Sequence, residues 1–171
     1  MTNKKSRIKT ISFDADGTLV TSSFADLVWL EALPQQVSES WGIPLEDAKN
    51  KLFADYDSIG PKRMEWYDLA YWIKRYRLDL NPKTFVMQYR DAVTPFPEVA
   101  EVLDALMEEY QLIVISNSAR LFLDVTTGLF KDCFVKTFST VSDFGTMKDA
   151  ASYRVVCEKM GILPCEMAHV G

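Results

Sequence analysis

Short apolar runs alternate with amphipathic stretches in the first and last parts of the chain. The predicted strands are residues 8–13, 112–115, 135–138 and 167–170. The predicted helices of the same parts are residues 98–110, 119–128 and 149–160, the last ending at Gly161. The run at 112–115 is apolar throughout, which is typical of a strand buried on both faces. Strands that alternate with helices of this length predict an α/β fold with a parallel sheet.

The middle of the chain, residues 22–94, has a pattern that predicts helices throughout. The expected breaks are Gly42-Ile43-Pro44, Gly60-Pro61 and Asn81-Pro82. Asn81 and Pro82 form a cap and a first turn for a helix that runs to about Ala92. Pro34 is expected to end or kink the first helix of this region. All four tryptophans lie here, as expected of a small helical domain that needs its own core.

Composition and charge exclude several functions. The 171 residues suffice for one core with a modest insertion, and 48% hydrophobic residues argue against disorder. A net charge of −5 argues against a nucleic-acid partner, and no apolar run approaches the ~20 residues of a membrane span. The scattered Cys133, Cys157 and Cys165 predict reduced thiols in a cytoplasm. With His169 as the single histidine, they argue against zinc.

The chemistry-bearing residues follow the predicted strands, where parallel sheets bind their ligands. In FDADGTLV, Asp14 and Asp16 come directly after the first strand, and their i, i+2 spacing lets both face one small site. Residues 116–118, Ser-Asn-Ser, follow the second strand and precede a helix, so their hydroxyl and amide groups can hold an anion such as phosphate. Lys148 stands just before the helix predicted for residues 149–160.

These groups fit one reaction class. Phosphoryl transfer through an aspartyl-phosphate needs a carboxylate nucleophile, a second carboxylate, a hydroxyl and an ammonium group. Two carboxylates that face a phosphate would repel it, so a divalent cation is required, and hard oxygen ligands favour Mg²⁺. Two further polar residues have simpler interpretations. Arg120 is predicted to be a surface arginine in a first helical turn, and His169 to be a core or sheet-edge residue.

Four segments resemble, in this order, the motifs of the haloacid dehalogenase superfamily in its phosphatase branch. They are DADGTL, VISNS, MKDAASYRVVCEKMG and HVG, and the resemblance runs from Ile8 to Gly171. It implies a Rossmann-like core with a parallel sheet, formed by residues 1–21 and 95–171. Residues 22–94 would then be an inserted all-α cap that closes over the site and excludes water.

The resemblance also implies a role for each motif residue. Asp14 would be the nucleophile and a ligand of Mg²⁺, and Asp16 would protonate the leaving group, activate water and bind the metal through its carbonyl. Ser116 would hydrogen-bond the phosphoryl oxygens, and Lys148 would neutralise negative charge. Further substrate-binding residues are Gly17, Thr18 and Asn117. The implied substrate is a small phosphorylated metabolite.

Two features depart from the family pattern. Asp149 follows the lysine where the family usually has proline. The metal-binding aspartate of the fourth motif would come directly after Gly171, so we expect a core truncated at its C-terminal end, with weak Mg²⁺ binding and reduced stability. The open alternatives are a 2-haloacid dehalogenase, a sugar-phosphate mutase and a catalytically impaired or regulatory domain. Substrate identity and oligomeric state are left open by the sequence.

Overall fold

A four-stranded parallel sheet lies at the centre of the fold in the computed structural model, which describes residues 8–130 and 132–171. Its strands are β1 (Thr10–Phe13), β2 (Gln111–Ser116), β3 (Lys136–Ser139) and β4 (Met167–Val170). They lie side by side in the order β3-β2-β1-β4. The predicted α/β class with a parallel sheet is therefore confirmed, although β1 and β3 begin slightly later than predicted.

Eight α-helices complete the described part of the chain. They are α1 (Ser23–Asp26), α2 (Leu33–Trp41), α3 (Leu45–Ile59), α4 (Leu69–Arg75), α5 (Pro82–Met87), α6 (Val99–Met107), α7 (Arg120–Thr127) and α8 (Ala150–Met160). Two π-helical turns span Leu27–Ala32 and Thr140–Phe144, and short 3₁₀ turns span Met64–Trp66, Arg90–Ala92, Gly128–Phe130 and Pro164–Glu166. Among the helices of this described part, none has the length and apolar character that a bilayer crossing requires.

Strand β2 is buried on both faces, as its apolar run predicts. On one face, Ile113 and Ile115 pack with Phe138 of β3 and Val156 of α8, and all four are at most 3% exposed. Burying one large apolar side chain contributes roughly 1.5–3 kcal/mol to stability, so this cluster fixes α8 against the sheet. The position of α8 matters because the loop that carries Lys148 leads directly into it.

Two compact units divide the chain. One contains residues up to Val20 and from Pro95 onward, including the sheet, and the other is Thr21–Thr94. In the second unit the predicted breaks coincide with helix ends. Gly42, at φ +64°, follows α2, and Gly60, at φ +73°, follows α3; these left-handed backbone conformations favour glycine. Asn81 caps α5, since its side chain accepts a 3.0 Å hydrogen bond from Thr84 N.

Two helix boundaries of this unit differ from the prediction. Pro34 does not end the first helix, because the backbone stays helical from α1 through the π-helical turn Leu27–Ala32 into α2. Pro34 stands two residues after the π-helical turn, an irregularity of the kind that accompanies kinks in helices, so the alternative that Pro34 kinks the helix stays a prediction. The helix expected to reach Ala92 stops at Met87 and resumes as a 3₁₀ turn. Tertiary packing decides such boundaries, and the pattern of residues along the chain carries no information about that packing.

A charged network joins α3 to α4. The Asp55 carboxylate accepts hydrogen bonds from the Tyr76 hydroxyl and from Lys51 Nζ at 3.1 Å, and Arg75 lies 3.2 Å away. Burial alone would raise the pKa of Asp55, but these hydrogen bonds and the charge of Arg75 hold it below its ordinary value. The ionised form of Asp55 therefore stabilises the folded unit.

We expect the Asp55→Asn variant to lose about 1–2 kcal/mol of unfolding free energy at neutral pH, because asparagine cannot make charge-assisted bonds. The folded pKa of Asp55 lies below the unfolded one, so its contribution is complete above about pH 4 and is lost as pH falls further. Urea unfolding from pH 7 to pH 3 should show the two proteins converge at the acid end. Asp57→Asn, an exposed change in the same helix, is the control. A constant difference at every pH would contradict the assignment.

Candidate active site

Asp14 comes directly after β1 and is held from both sides. Its backbone N–H donates to Val170 O at 2.9 Å, which continues the pairing of β1 with β4. Its Oδ1 accepts a 2.8 Å hydrogen bond from Ala15 N, and its Oδ2 contacts Lys148 Nζ. The two charged side chains are only 26% and 17% exposed, so water screens the pair less than it would at an open surface.

The loop after Asp14 is a compact turn. Ala15 O accepts hydrogen bonds from Thr18 N at 3.2 Å and Leu19 N at 2.9 Å, and Gly17 N donates to Val20 O at 2.8 Å. Gly17 adopts φ +80°, a conformation that favours glycine, which explains the Asp-Gly sequence at this point. Asp16, Gly17 and Thr18 all lie in this turn, and Asp16 is half-buried.

Ser116 ends β2 on the same edge of the sheet as Asp14. The register pairs Phe13 with Val114, so the residues that follow both strands emerge side by side. Ser116 is 3% exposed, and its Oγ accepts a 3.0 Å hydrogen bond from Ser118 N. That bond uses a lone pair of the hydroxyl oxygen, so the hydroxyl hydrogen can still be donated to an anion.

Asn117, predicted to bind substrate, has a different set of contacts. Its Oδ1 accepts a hydrogen bond from the backbone N–H of Lys148 at 2.7 Å. The same oxygen accepts a second hydrogen bond, also 2.7 Å long, from the hydroxyl of Thr140. The side chain of Asn117 thus links the end of β2 to the loop that carries Lys148.

Asp149 takes the place of the family's usual proline without displacing Lys148. Its side chain accepts a 2.7 Å hydrogen bond from Ser152 N, and its own N–H donates to Ser152 Oγ at 2.9 Å. This reciprocal arrangement is a capping box at the start of α8. Asp149 thus starts α8 with a side-chain cap, which satisfies backbone N–H groups of the first turn.

Gly171 and His169 crowd Asp14 from the side of β4. A Cβ atom on Gly171 would lie 2.9 Å from Asp14 Cβ, so a side chain there would force one of the two to move. His169 Nδ1 lies 2.9 Å from Ser12 Oγ, and the His169 ring meets Tyr153 edge-on. Partial burial and the charge of Lys148 lower the pKa of His169, so the ring is neutral at pH 7. The expected sheet-edge position of His169 is confirmed.

The region that matches known proteins is the same as the region that contains the four motifs. The family model of the haloacid dehalogenase-like hydrolases matches residues 8–171. The chain belongs to this family. The hydrolase is 25% identical over 161 residues to the GMP/IMP nucleotidase of Escherichia coli, covering 91% of this chain and 70% of the relative.

Solved structures show the same fold for the hydrolase. A HAD phosphatase from Thermococcus onnurineus superimposes with a TM-score of 0.80 at 23% identity, over 95% of this chain and 76% of that one. An L-2-haloacid dehalogenase from Xanthobacter autotrophicus superimposes with a TM-score of 0.54 at 21% identity, over 95% of this chain and 69% of the other. At these identities the likeness establishes the fold, while the chemistry must be argued from the site.

The oxygen donors of the hydrolase fit a cation that keeps most of its water. Within residues 8–130 and 132–171, no cluster of three or more His, Cys, Asp or Glu side chains could hold a metal ion. Mg²⁺, however, is usually bound by one or two carboxylates together with waters and substrate phosphate. The Asp14 carboxylate and the backbone carbonyl of Asp16 are donors of this kind, so the chemistry of the site suits Mg²⁺ better than a metal that needs a full protein cage.

Arg120 is more than the surface residue that the sequence predicts. Its five guanidinium N–H groups all have acceptors in the hydrolase: Asp143 takes two, Asp124 one, and the hydroxyl and carbonyl oxygens of Thr137 one each. Its backbone N–H donates to Ser142 Oγ at 2.9 Å. Arg120 therefore joins the start of α7 to β3 and to the turn that follows β3, and it is committed to structure rather than to phosphate.

Replacing Arg120 with alanine should lower the unfolding free energy of the hydrolase by about 1–3 kcal/mol, since partly buried charge-assisted bonds are lost together. Urea unfolding measures the change. Arg90→Ala is the matched control, because Arg90 is exposed and pairs with Asp91, which is still more exposed. Equal losses in the two variants would mean that the Arg120 network contributes nothing specific.

Two sets of contacts among these residues were not predicted from the sequence, those of Thr140 and those of the Asp149 cap. The structure brings Asp14 into contact with Lys148, and Asn117 into contact with the Lys148 backbone. Thr140 was not singled out, and a threonine after a short strand gives no signal in one sequence. Asp149 carried a usable signal, because a cap residue with serine three positions later at a helix start indicates an N-cap.

Proposed function

We propose that the hydrolase is a Mg²⁺-dependent phosphatase that acts on a small phosphorylated metabolite through an aspartyl-phosphate. The contact between Asp14 and Lys148 supports this most directly. Lys148, from a loop far along the chain, contacts the Asp14 carboxylate just after the carboxyl end of β1. Ligands of parallel sheets bind at these strand ends, so a phosphorylated substrate can reach Asp14 there from solvent. Ser116, at the end of the next strand, adds a hydroxyl at the same edge.

The first half of the proposed reaction forms a covalent intermediate. A carboxylate oxygen of Asp14 attacks phosphorus, and the bond from phosphorus to the ester oxygen breaks as the new bond forms. Asp16 donates its proton to the departing oxygen, so the product leaves as an alcohol. Lys148 and the Ser116 hydroxyl stabilise the negative charge that builds on the phosphoryl oxygens.

The second half restores the carboxylate. Asp16, now ionised, takes a proton from water as the water oxygen attacks phosphorus, and the bond between phosphorus and Asp14 breaks. Inorganic phosphate is released. Backbone N–H groups of Gly17, Thr18 and Asn117 are proposed to orient the phosphoryl group during both halves.

Asp14 and the carbonyl of Asp16 would hold Mg²⁺ when the ion is bound. The cation supplies positive charge that offsets the repulsion between two carboxylates and a phosphate dianion. Residues 22–94 are proposed to be the cap domain and residues 1–21 with 95–171 the core, as the family resemblance implies. Three free cysteines support a reducing, cytoplasmic location.

Purine nucleoside monophosphates are the first substrates to test, because a relative named a GMP/IMP nucleotidase matches most of the chain. The experiment measures inorganic phosphate release, with and without Mg²⁺, from GMP, IMP, sugar phosphates and an aryl phosphate. We expect release that requires Mg²⁺. Halide release from a 2-haloacid without any phosphate release would instead assign the dehalogenase alternative, and sugar-phosphate isomerisation would assign the mutase.

A further inference from the structure

The backbone of Lys148 is anchored on both sides of the residue. On its N-terminal side, its own N–H donates to Asn117 Oδ1 at 2.7 Å. On its C-terminal side, Asp149 is fixed by the capping box with Ser152. Between these anchors, the side chain of Lys148 reaches Asp14. A lysine ammonium on a flexible four-carbon stem can be aimed only if the position of its backbone is fixed.

Asn117 is itself fixed by the core. Thr140 is fully buried, and its hydroxyl donates to Asn117 Oδ1 at 2.7 Å, a shorter contact than the 3.3 Å to Ser116 O. The single hydroxyl hydrogen therefore belongs to Asn117. With both hydrogen bonds made, the two lone pairs of the Asn117 carbonyl oxygen are used. The Asn117 oxygen thus contacts the buried Thr140 hydroxyl and the backbone N–H of Lys148.

We propose that Asn117 is a positioning residue, whose side-chain oxygen fixes the backbone of Lys148 and so aims the Lys148 ammonium at Asp14. The role rests on the proposed phosphatase function. It is distinct from substrate binding, which is the role predicted for Asn117 from the sequence and is proposed above for its backbone N–H. A residue that acts only through Lys148 has no effect on catalysis once the Lys148 ammonium is gone, whereas a residue that binds phosphate keeps its effect.

A double-mutant cycle separates the two roles. Asn117→Ala should lower kcat for an aryl phosphate by about 10- to 100-fold, because a misplacement of about 1 Å has effects of this size, with KM changed less than about threefold. In a Lys148→Ala background, the same change should lower kcat by less than about twofold. Asn50→Ala, an exposed change on α3, is the matched control and should leave kcat unchanged.

Amide hydrogen exchange tests the anchor without any activity. The Lys148 N–H should exchange at least about tenfold faster in Asn117→Ala than in the parent protein. Asn117→Asp keeps an oxygen acceptor and should restore the protection. Thr140→Val removes the donor that fixes Asn117 and should also speed exchange. Its matched control is Thr126→Val, since Thr126 is equally buried and its hydroxyl has no partner in the described part of the chain.

Each outcome has a distinct meaning. Slow exchange of the Lys148 amide in Asn117→Ala would show that Asn117 does not anchor the Lys148 backbone. If Asn117→Ala lowered kcat by the same 10- to 100-fold in the Lys148→Ala background, Asn117 would instead act on the substrate. Absence of phosphatase activity in the parent protein would defeat the proposed function but leave the exchange result standing. Fast exchange in Asn117→Ala, protection in Asn117→Asp and a non-additive cycle together are the result we expect.

Discussion

Asp14→Asn should lower kcat for phosphate release by at least about 10³-fold, with or without added Mg²⁺. An amide oxygen is a poor nucleophile and cannot form the aspartyl-phosphate. The substitution is nearly isosteric, so the hydrogen bond from Ala15 N can persist and the fold should be kept. The loss therefore reports chemistry rather than unfolding, and a steady-state assay with an aryl phosphate measures it.

The intermediate itself provides an independent check on Asp14. Acid quenching of the parent protein during turnover should give a species heavier by one phosphoryl group, and peptide mass spectrometry should locate the group on Asp14. The Asp14→Asn protein should lack this species. Asp104→Asn, an exposed change on α6, is the control and should retain full activity. Substantial turnover by Asp14→Asn would remove Asp14 from the role of nucleophile.

The second large effect is expected at Lys148. Lys148→Ala should lower kcat by about 10²- to 10³-fold, which is the usual loss when one preorganised charge on the developing transition state is removed. Lys148 contacts the Asp14 carboxylate, so its removal takes away the positive charge that lies against the proposed nucleophile. KM should change less than kcat, since the charge acts mainly in the transition state.

Two further variants are needed to interpret the kcat of Lys148→Ala. Lys148→Arg keeps the charge but changes its shape, and it should recover part of the lost kcat. Lys74→Ala alters an exposed lysine of α4 and should have no effect. Urea unfolding of all three variants shows whether the fold is intact. Lys148→Ala with near-normal kcat would show that the contact with Asp14 is a structural ion pair.

The strands could be predicted because their signals are local. Residues 112–115 are apolar without interruption, and this stretch lies inside β2, buried on both faces. Gly161 follows α8 and adopts φ +67°, a left-handed conformation that favours glycine, so a glycine at this point predicts the helix end. The reaction chemistry and the family resemblance group Asp14 with Lys148, and the structure shows that their side chains are in contact.

The missed features depend on partners far away in the chain. Arg120 looks like any first-turn arginine until β3 and its following turn supply Asp143 and Thr137. The Asn117 oxygen likewise contacts Thr140 and the Lys148 backbone, which lie far from it in the chain. Such contacts arise from tertiary packing and produce no periodic pattern of hydrophobic and polar residues in a single sequence. The same holds for the end of α5 at Met87, which the linear pattern places at about Ala92.

The position of β1 has a consequence for biosynthesis. Thr10 pairs with Gln111 on one side and with Met167 on the other, so β1 is synthesised before both of the strands that flank it and pairs only after they have been made. Pairings of such long sequence separation form slowly. Until β4 has emerged, Asp14 N has no Val170 carbonyl to bind. Asp14 is thus made before either neighbouring strand, and the hydrogen bond from its backbone N–H forms only after β4 has been synthesised.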